Sequence, residues 1–231
     1  MTIFRYALLR GVRSPFSLVV NCVLPIGLMF VRTLWEDGGG LVGGFSFLVL
    51  VIMSGAYLMS MSILSDKTEG TITRILAAPV TMRRYLTENL LACMVPLMVQ
   101  ITLISIFGVI LYDWSLTLSM AVFLCYTVLG LASVTMAFAW HCLFRSKEGS
   151  GGGFGLVLSL TVFLSGATFP LDAFPGVLQY VGAIFPVYWA IQGVDAVLET
   201  GAMAGDYWIS LAAMLLFATA CLLYGGKRRI V

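Results

Sequence analysis

Apolar positions gather into six long runs, 16–34, 41–64, 89–111, 116–143, 153–169 and 206–226. Charges or glycine and proline bound each run. Each lies in or above the range of about 17–25 residues that a bilayer-crossing helix needs. The pattern predicts six transmembrane helices with short connections. Pro15 opens the first run, Pro25 lies inside it and Pro96 lies inside the third. Proline removes a backbone donor, so kinks are expected there, with neighbouring helices re-satisfying the freed carbonyls.

A shorter pattern precedes the first run. On a helical wheel Ile3, Phe4, Ala7, Leu8, Gly11 and Val12 share one face. Arg5, Tyr6, Arg10 and Arg13 share the other, with Leu9 breaching it. Residues 1–14 therefore predict an amphipathic helix in the headgroup plane, apolar side down. The plainer reading is a basic flank that only sets orientation. No small-residue cleavage site follows the apolar run before Trp35-Glu36-Asp37, so a removable leader is not expected.

Composition excludes most other classes. Of 231 residues, 60% are hydrophobic and 10% charged, against about 45–50% and 25% in ordinary soluble domains. A soluble enzyme, a secreted disulfide scaffold, a disordered chain and a nucleic-acid binder are excluded as whole-chain descriptions. Residues 1–231 read as one transmembrane domain. Cys22, Cys93, Cys125, Cys142 and Cys221 lie in or at the ends of apolar runs, without metal-like spacing, and read as packing residues.

The placement of charge says more than the net +2. Arg5, Arg10 and Arg13 precede the first run; Lys67, Arg74, Arg83 and Arg84 lie between the second and third. Arg145 and Lys147 lie between the fourth and fifth, and Lys227, Arg228 and Arg229 follow the sixth. Only Arg32 falls on the other set of loops, which carries Glu36, Asp37, Asp113, Asp172, Asp195, Glu199 and Asp206. The positive-inside rule predicts both termini in the cytoplasm.

The runs themselves are nearly free of chemistry. No Asp, Glu, Lys or Arg falls within 16–31, 42–64, 90–111, 117–140, 154–169 or 207–226. An ion-coupled carrier usually needs an ionisable group at that depth, and a membrane-embedded hydrolase needs clustered carboxylates, histidines or metal ligands. The one histidine, His141, stands at a span end and reads as a packing or snorkelling residue. Asn21, Gln100, Thr102, Ser105, Ser133 and Thr135 are the neutral polar residues at depth. Their plain role is hydrogen bonding between helices; Asn21, Gln100, Thr102 and Ser105 are the candidates for lining a substrate path. No metal site is expected. Gly149-Ser150-Gly151-Gly152-Gly153 follows no strand and lacks the Lys of a phosphate loop. It is expected to be a flexible turn, with close helix approach at Gly152, Gly153 and Gly155.

Residues 65–88 form the longest connection on the basic side. Asp66 and Glu69 have capping-box spacing, Gly70 argues for a break, and Pro79 ends any helix over 71–78. Thr81 is placed to cap a helix leading into the third run. Ile72, Ile75 and Leu76 share an apolar face that Arg74 avoids. Such a helix is either a surface-lying elbow or a docking element.

Two motifs then carry a resemblance. Glu69-Gly70-Thr71, Arg74, Leu76, Ala78-Pro79-Val80 and Arg84-Tyr85-Leu86 resemble the loop after the second span of type-2 ABC transporter permeases. Leu164 through Pro175, followed by Pro186-Val187-Tyr188-Trp189, resembles the fifth span and extracellular hairpin of that family. The resemblance covers the whole chain. It implies an all-α, six-span, N-in/C-in membrane subunit with an interfacial helix, a cytoplasmic coupling helix within 65–88 and an extracellular re-entrant hairpin at 170–205. It implies a non-catalytic exporter subunit in a prokaryotic cytoplasmic membrane, paired with a second permease copy or paralogue. Two separate ATPase chains would carry the ATP and magnesium; no cofactor is expected on this chain. Coupling would fall to Glu69, Gly70, Thr71, Arg74, Ile75, Leu76 and Pro79, and the extracellular cap to Pro170, Asp172, Phe174, Pro175 and Pro186. The substrate would be hydrophobic or amphipathic: a drug, lipid, peptide or lipid-linked glycan.

The hairpin also has a reading of its own. Residues 170–205 hold Asp172, Asp195 and Glu199, with Asp206 just beyond, and no Lys or Arg. Phe174, Val177, Leu178, Val181, Ile184 and Phe185 are too apolar for a solvated loop. A surface-lying amphipathic hairpin and a re-entrant cap both fit. Rival functions are a haem-exporter-like ABC permease, an ion-coupled secondary carrier, a membrane-embedded enzyme and a non-transporting scaffold.

Overall fold

A computed structural model describes residues 2–31, 35, 40–77, 81–166 and 175–227. The elements in chain order are α1 (Thr2–Arg13), α2 (Pro15–Leu18), a π-helical stretch (Val19–Val23), α3 (Leu24–Met29), α4 (Gly40–Thr68) and α5 (Thr71–Leu76). They continue with α6 (Met82–Tyr112), α7 (Leu116–Leu143), α8 (Lys147–Leu164), α9 (Gly176–Gly182), α10 (Pro186–Thr200) and α11 (Gly205–Lys227). Every regular element among the described residues is helical. That is the outcome lipid imposes, since a helix satisfies its own backbone.

Four helices are long and apolar enough to cross a membrane: most of α4, all of α6 and α7, and most of α11. Two bent pairs raise the number to six if each is one span. One joins α1 to the rod Pro15–Met29 at 81°; the other joins α9 to α10 at 96°. α8 is not among the four. Its first two turns carry Lys147, Glu148 and the glycine run, and the helix ends at Leu164. The fifth apolar run, 153–169, thus yields a helix whose described apolar part is short.

The bend between α1 and the rod Pro15–Met29 falls at Ser14, and the rod runs on through Pro25. Pro25 cannot donate and crowds the carbonyl of Asn21 one turn back. The helix absorbs this by widening: the Leu24 N–H donates to the Val19 carbonyl, five residues back.

α7 forms the axis. Ala121, Val122, Cys125, Tyr126, Leu129, Ala132, Val134 and Ala137 are fully buried along its length. α4, α6, α10 and α11 pack around it. Small residues permit that approach, as is usual between helices in lipid. Two long ties hold neighbours to it: the Tyr126 hydroxyl donates to the Phe45 carbonyl at 3.0 Å and that of Tyr207 to the Ala121 carbonyl at 2.8 Å.

Three expectations change. The glycine run is helix, not a flexible turn. Ser146 caps it by accepting from the Gly149 N–H, and the aromatic rings of Trp140 and Phe144 close over Gly153, where a Cβ would stand 2.9 Å from Trp140. Close approach, expected at Gly152, Gly153 and Gly155, is realised at Gly153, while Gly152 and Gly155 have open space. The Asp66–Glu69 capping box does not form, because α4 runs on to Thr68 and leaves Asp66 in its last turn. The apolar face of α1 does not simply face lipid. It turns onto α6 and α4: the Phe4 N–H donates to Glu88 at 3.0 Å, and a Cβ at Gly11 would stand 2.9 Å from the Met59 sulfur.

Candidate functional site

The basic end of the bundle is built around the break after α4. Gly70 has φ +70°, a left-handed conformation that glycine adopts without strain, and it turns the chain into α5. α5 presents two faces. Ile72 is 2% exposed and packs among Met59, Ile63, Tyr85, Leu86 and Phe138; Ile75 packs against the same cluster. Arg74 points to solvent. The side chain of Leu76 and all of Pro79 lie outside the described residues. Thr81 caps α6 by accepting from the Arg84 N–H at 3.4 Å, as its spacing predicted.

Charged contacts fasten this end. Asp66, nearly buried, accepts from Arg10 Nη1 at 2.7 Å and from the Tyr85 hydroxyl at 2.7 Å, joining α1, α4 and α6. Lys67 Nζ donates to the carbonyls of His141, Cys142 and Phe144 at 3.0–3.3 Å, capping the end of α7. A cation there meets orphan carbonyls and the negative end of the helix dipole. Glu69 pairs with Lys147 at 3.4 Å, an exposed contact worth little by itself. His141 is 1% exposed and packed, not snorkelling. Its Nε2 lies 3.0 Å from Ser60 Oγ and its Nδ1 3.3 Å from Ser150 Oγ, while the Tyr57 hydroxyl donates to Ser150 at 3.0 Å. This buried junction ties α4, α7 and α8 directly behind the break.

The site residues inferred from sequence thus divide. Glu69, Gly70, Thr71, Arg74 and Ile75 share one segment at the basic end. Asp66, Lys67, Tyr57, Ser60 and Ser150 were missed. Their partners lie tens of residues away, and the only local sign was polar residues at the ends of apolar runs.

The four path residues do not converge on one cavity. Thr102 and Ser105 line a groove of about 380 Å³ with Ile106, Ser119, Met120 and Phe123. Thr102 donates to the Met98 carbonyl at 2.7 Å, and Ser119 to that of Ser105 at 3.3 Å. Asn21 and Gln100 are fully buried. Asn21 donates to the Ser17 carbonyl at 2.8 Å and packs on Gly55; its Oδ1 and both polar atoms of Gln100 have no partner among the described residues. Of the hairpin residues, Pro175 leads into α9 and Pro186 opens α10, buried at its start. Pro170, Asp172 and Phe174 lie outside the described residues. No group of three or more His, Cys, Asp or Glu side chains placed to hold a metal occurs among the described residues.

A helical bundle with four to six candidate spans, nearly uncharged at depth and with its basic residues concentrated at one end, is a multi-pass membrane protein. A family model described as "ABC-2 family transporter protein" matches residues 38–226. The chain belongs to that family and is a permease of an ABC transporter. Such permeases are transport components, generally non-catalytic, that work with an ATPase partner. No curated protein matches the chain.

Proposed function

We propose that this chain is the membrane subunit of an ATP-driven exporter, with both termini in the cytoplasm and α5 as its coupling helix. One observation carries the reading. α5 follows a glycine break at the basic end, buries Ile72 in the bundle and turns Arg74 outward. A helix held on one side by apolar packing and presenting charge on the other is built to take a push from a partner and pass it inward. Asp66, Lys67 and the His141 junction give that push a stiff footing in α1, α6, α7 and α8. Two permease copies, or this chain and a paralogue, would form the path, each docking one ATPase chain that holds ATP and magnesium. The uncharged spans support a hydrophobic or amphipathic substrate, whether drug, lipid, peptide or lipid-linked glycan. They disfavour coupling to an ion gradient. α9 and α10, with Pro175 and Pro186 at their starts, would form a re-entrant cap over the outer end. Residues 1–231 would work as a single permease domain in a prokaryotic cytoplasmic membrane.

Replacing Glu69 and Arg74 together by alanine tests the coupling contact. Losing a charged hydrogen bond of about 1.5–3 kcal/mol is expected to lower substrate-stimulated ATP turnover of the reconstituted complex by about tenfold. Unchanged turnover and transport in the double variant remove residues 69–74 from the coupling surface.

A further inference from the structure

The turn between α6 and α7 lies at the end of the bundle remote from α5, and a pocket of about 470 Å³ opens beside it. Trp35, Tyr112, Asp113, Trp114 and Ser115 line it. Three of these already spend their polar groups inside the chain. The Trp35 indole N–H donates to the Leu28 carbonyl at 3.0 Å, and the Tyr112 hydroxyl to the Met29 carbonyl at 2.6 Å. The Ser115 hydroxyl accepts from the Leu118 N–H at 3.1 Å and caps α7. Two side chains are left over. Trp114 is 6% exposed, and its buried indole N–H has no hydrogen-bond partner. Asp113 is exposed, and its carboxylate has no ion pair or hydrogen bond among the described residues.

The indole is held in place. A Cβ at Gly108 would collide with its benzo edge, so glycine there lets the ring seat against α6. The pyrrole edge, which carries the N–H, is the opposite edge of the ring and faces away from that backbone. A buried N–H without an acceptor is costly, and the polar side chains around it are engaged elsewhere, so the acceptor comes from outside the chain. The pocket thus calls for two things at once: an acceptor for the Trp114 N–H and a cation for the carboxylate of the preceding residue. No Lys or Arg among the described residues lines it.

The setting narrows the occupant. α6 and α7 are both long and apolar enough to cross a membrane, so the turn 113–115 that joins them lies at head-group level, where amphipathic rings settle. Phospholipids fill that level. A phosphate oxygen is a strong acceptor, and a primary ammonium brings three N–H donors to a carboxylate. Leu111 and Leu118 add apolar surface for the start of an acyl chain. An anionic phospholipid would serve the indole but set its charge against Asp113, and a free amine would serve only Asp113.

We propose that the pocket at the α6–α7 turn binds the head group of an amine-bearing phospholipid, its ammonium on Asp113 and a phosphate oxygen on the Trp114 indole N–H. The site rests on the membrane-spanning fold and not on the coupling role of α5, so each fails or survives separately.

The test uses the full chain in detergent micelles, titrated with phosphatidylethanolamine, phosphatidylcholine or phosphatidylglycerol of identical acyl chains, with bound lipid counted by native mass spectrometry. One saturable phosphatidylethanolamine per chain is expected, held about tenfold more tightly than either of the others, the worth of one charged hydrogen bond. Choline keeps the charge but has no N–H to donate. Two variants separate the two contacts. Asp113→Asn keeps the turn, since asparagine tolerates the left-handed conformation of residue 113 (φ 49°), and erases the preference among head groups. Trp114→Phe keeps an aromatic ring but removes the N–H; it weakens all three lipids about fivefold and leaves their order unchanged. Asp206→Asn removes a carboxylate that does not line this pocket and changes neither affinity nor order. The proposal is overturned if the three lipids bind alike, if Asp113→Asn keeps the preference, or if Trp114→Phe binds as the wild type does. It is equally overturned if Asp206→Asn erases the preference too.

Discussion

Ile72→Asp is expected to abolish ATP-driven transport while the membrane bundle stays folded. α5 is six residues long, far below the length at which a helix holds itself in water. Its position therefore depends on the apolar socket that Ile72 fills beside Met59, Tyr85 and Leu86. An ionised carboxylate in that socket costs several kcal/mol, on the order of the burial penalty for an unpaired charge. Leaving the socket avoids the penalty. The segment joins α4 and α6 through short connections, so it can move out without unthreading either. Without its footing α5 has nothing to push against, and substrate flux in proteoliposomes is expected to fall by about a hundredfold or more, since each 1.4 kcal/mol is tenfold. ATP hydrolysis by the partner is expected to continue without substrate stimulation. Ile72→Val deletes a single methylene group, costs about 0.5–1.5 kcal/mol and keeps most of the flux. Wild-type flux from a folded Ile72→Asp complex removes α5 as the lever.

The features that made α5 legible in the sequence are all local. Gly70 marked the break, Ile72 and Ile75 marked a face, and Arg74 was kept off it; the backbone and burial follow that order. The long apolar runs were legible for the same reason, because spanning helices satisfy themselves. What stayed hidden was pairing across the chain. Asp66 reads as a helix cap in the sequence; in space it is the acceptor for Arg10, 56 residues away, and Tyr85, 19 away. The glycine run reads as a turn because glycine is a poor helix former. Packing overrides propensity there: Ser150 is hydrogen-bonded to Tyr57 and His141, and Gly153 lets the rings of Trp140 and Phe144 close in. Asp113 counted in the sequence only as a sign of sidedness. That it shares a pocket with Trp35 and Trp114 is a property of packed surfaces, which no single stretch encodes.

The same dependence on distant partners sets the largest effect on stability, at the acidic end. Trp35→Ala is expected to cost about 3–5 kcal/mol, the range for removing a buried Trp or Phe from a core. Trp35 is 5% exposed and donates from its indole N–H to the Leu28 carbonyl at 3.0 Å. Its ring lies 5.4 Å from Phe45, 5.4 Å from Tyr112 and 5.7 Å from Trp114. It is thus the point where α3, α4 and α6 meet, and the Tyr112 hydroxyl adds a 2.6 Å bond to the Met29 carbonyl beside it. Circular dichroism melts of the full chain are expected to shift down by about 10 °C. Gly44 offers an internal check. A Cβ there would stand 2.7 Å from the Trp35 ring, so Gly44→Ala alone is expected to cost about 1–3 kcal/mol through overpacking. In the Trp35→Ala background the ring is gone and the same change becomes nearly neutral. The two effects are then strongly non-additive, as neighbours in contact should be. If the losses simply add, the glycine does not make room for that ring and the aromatic cluster is not what joins these helices.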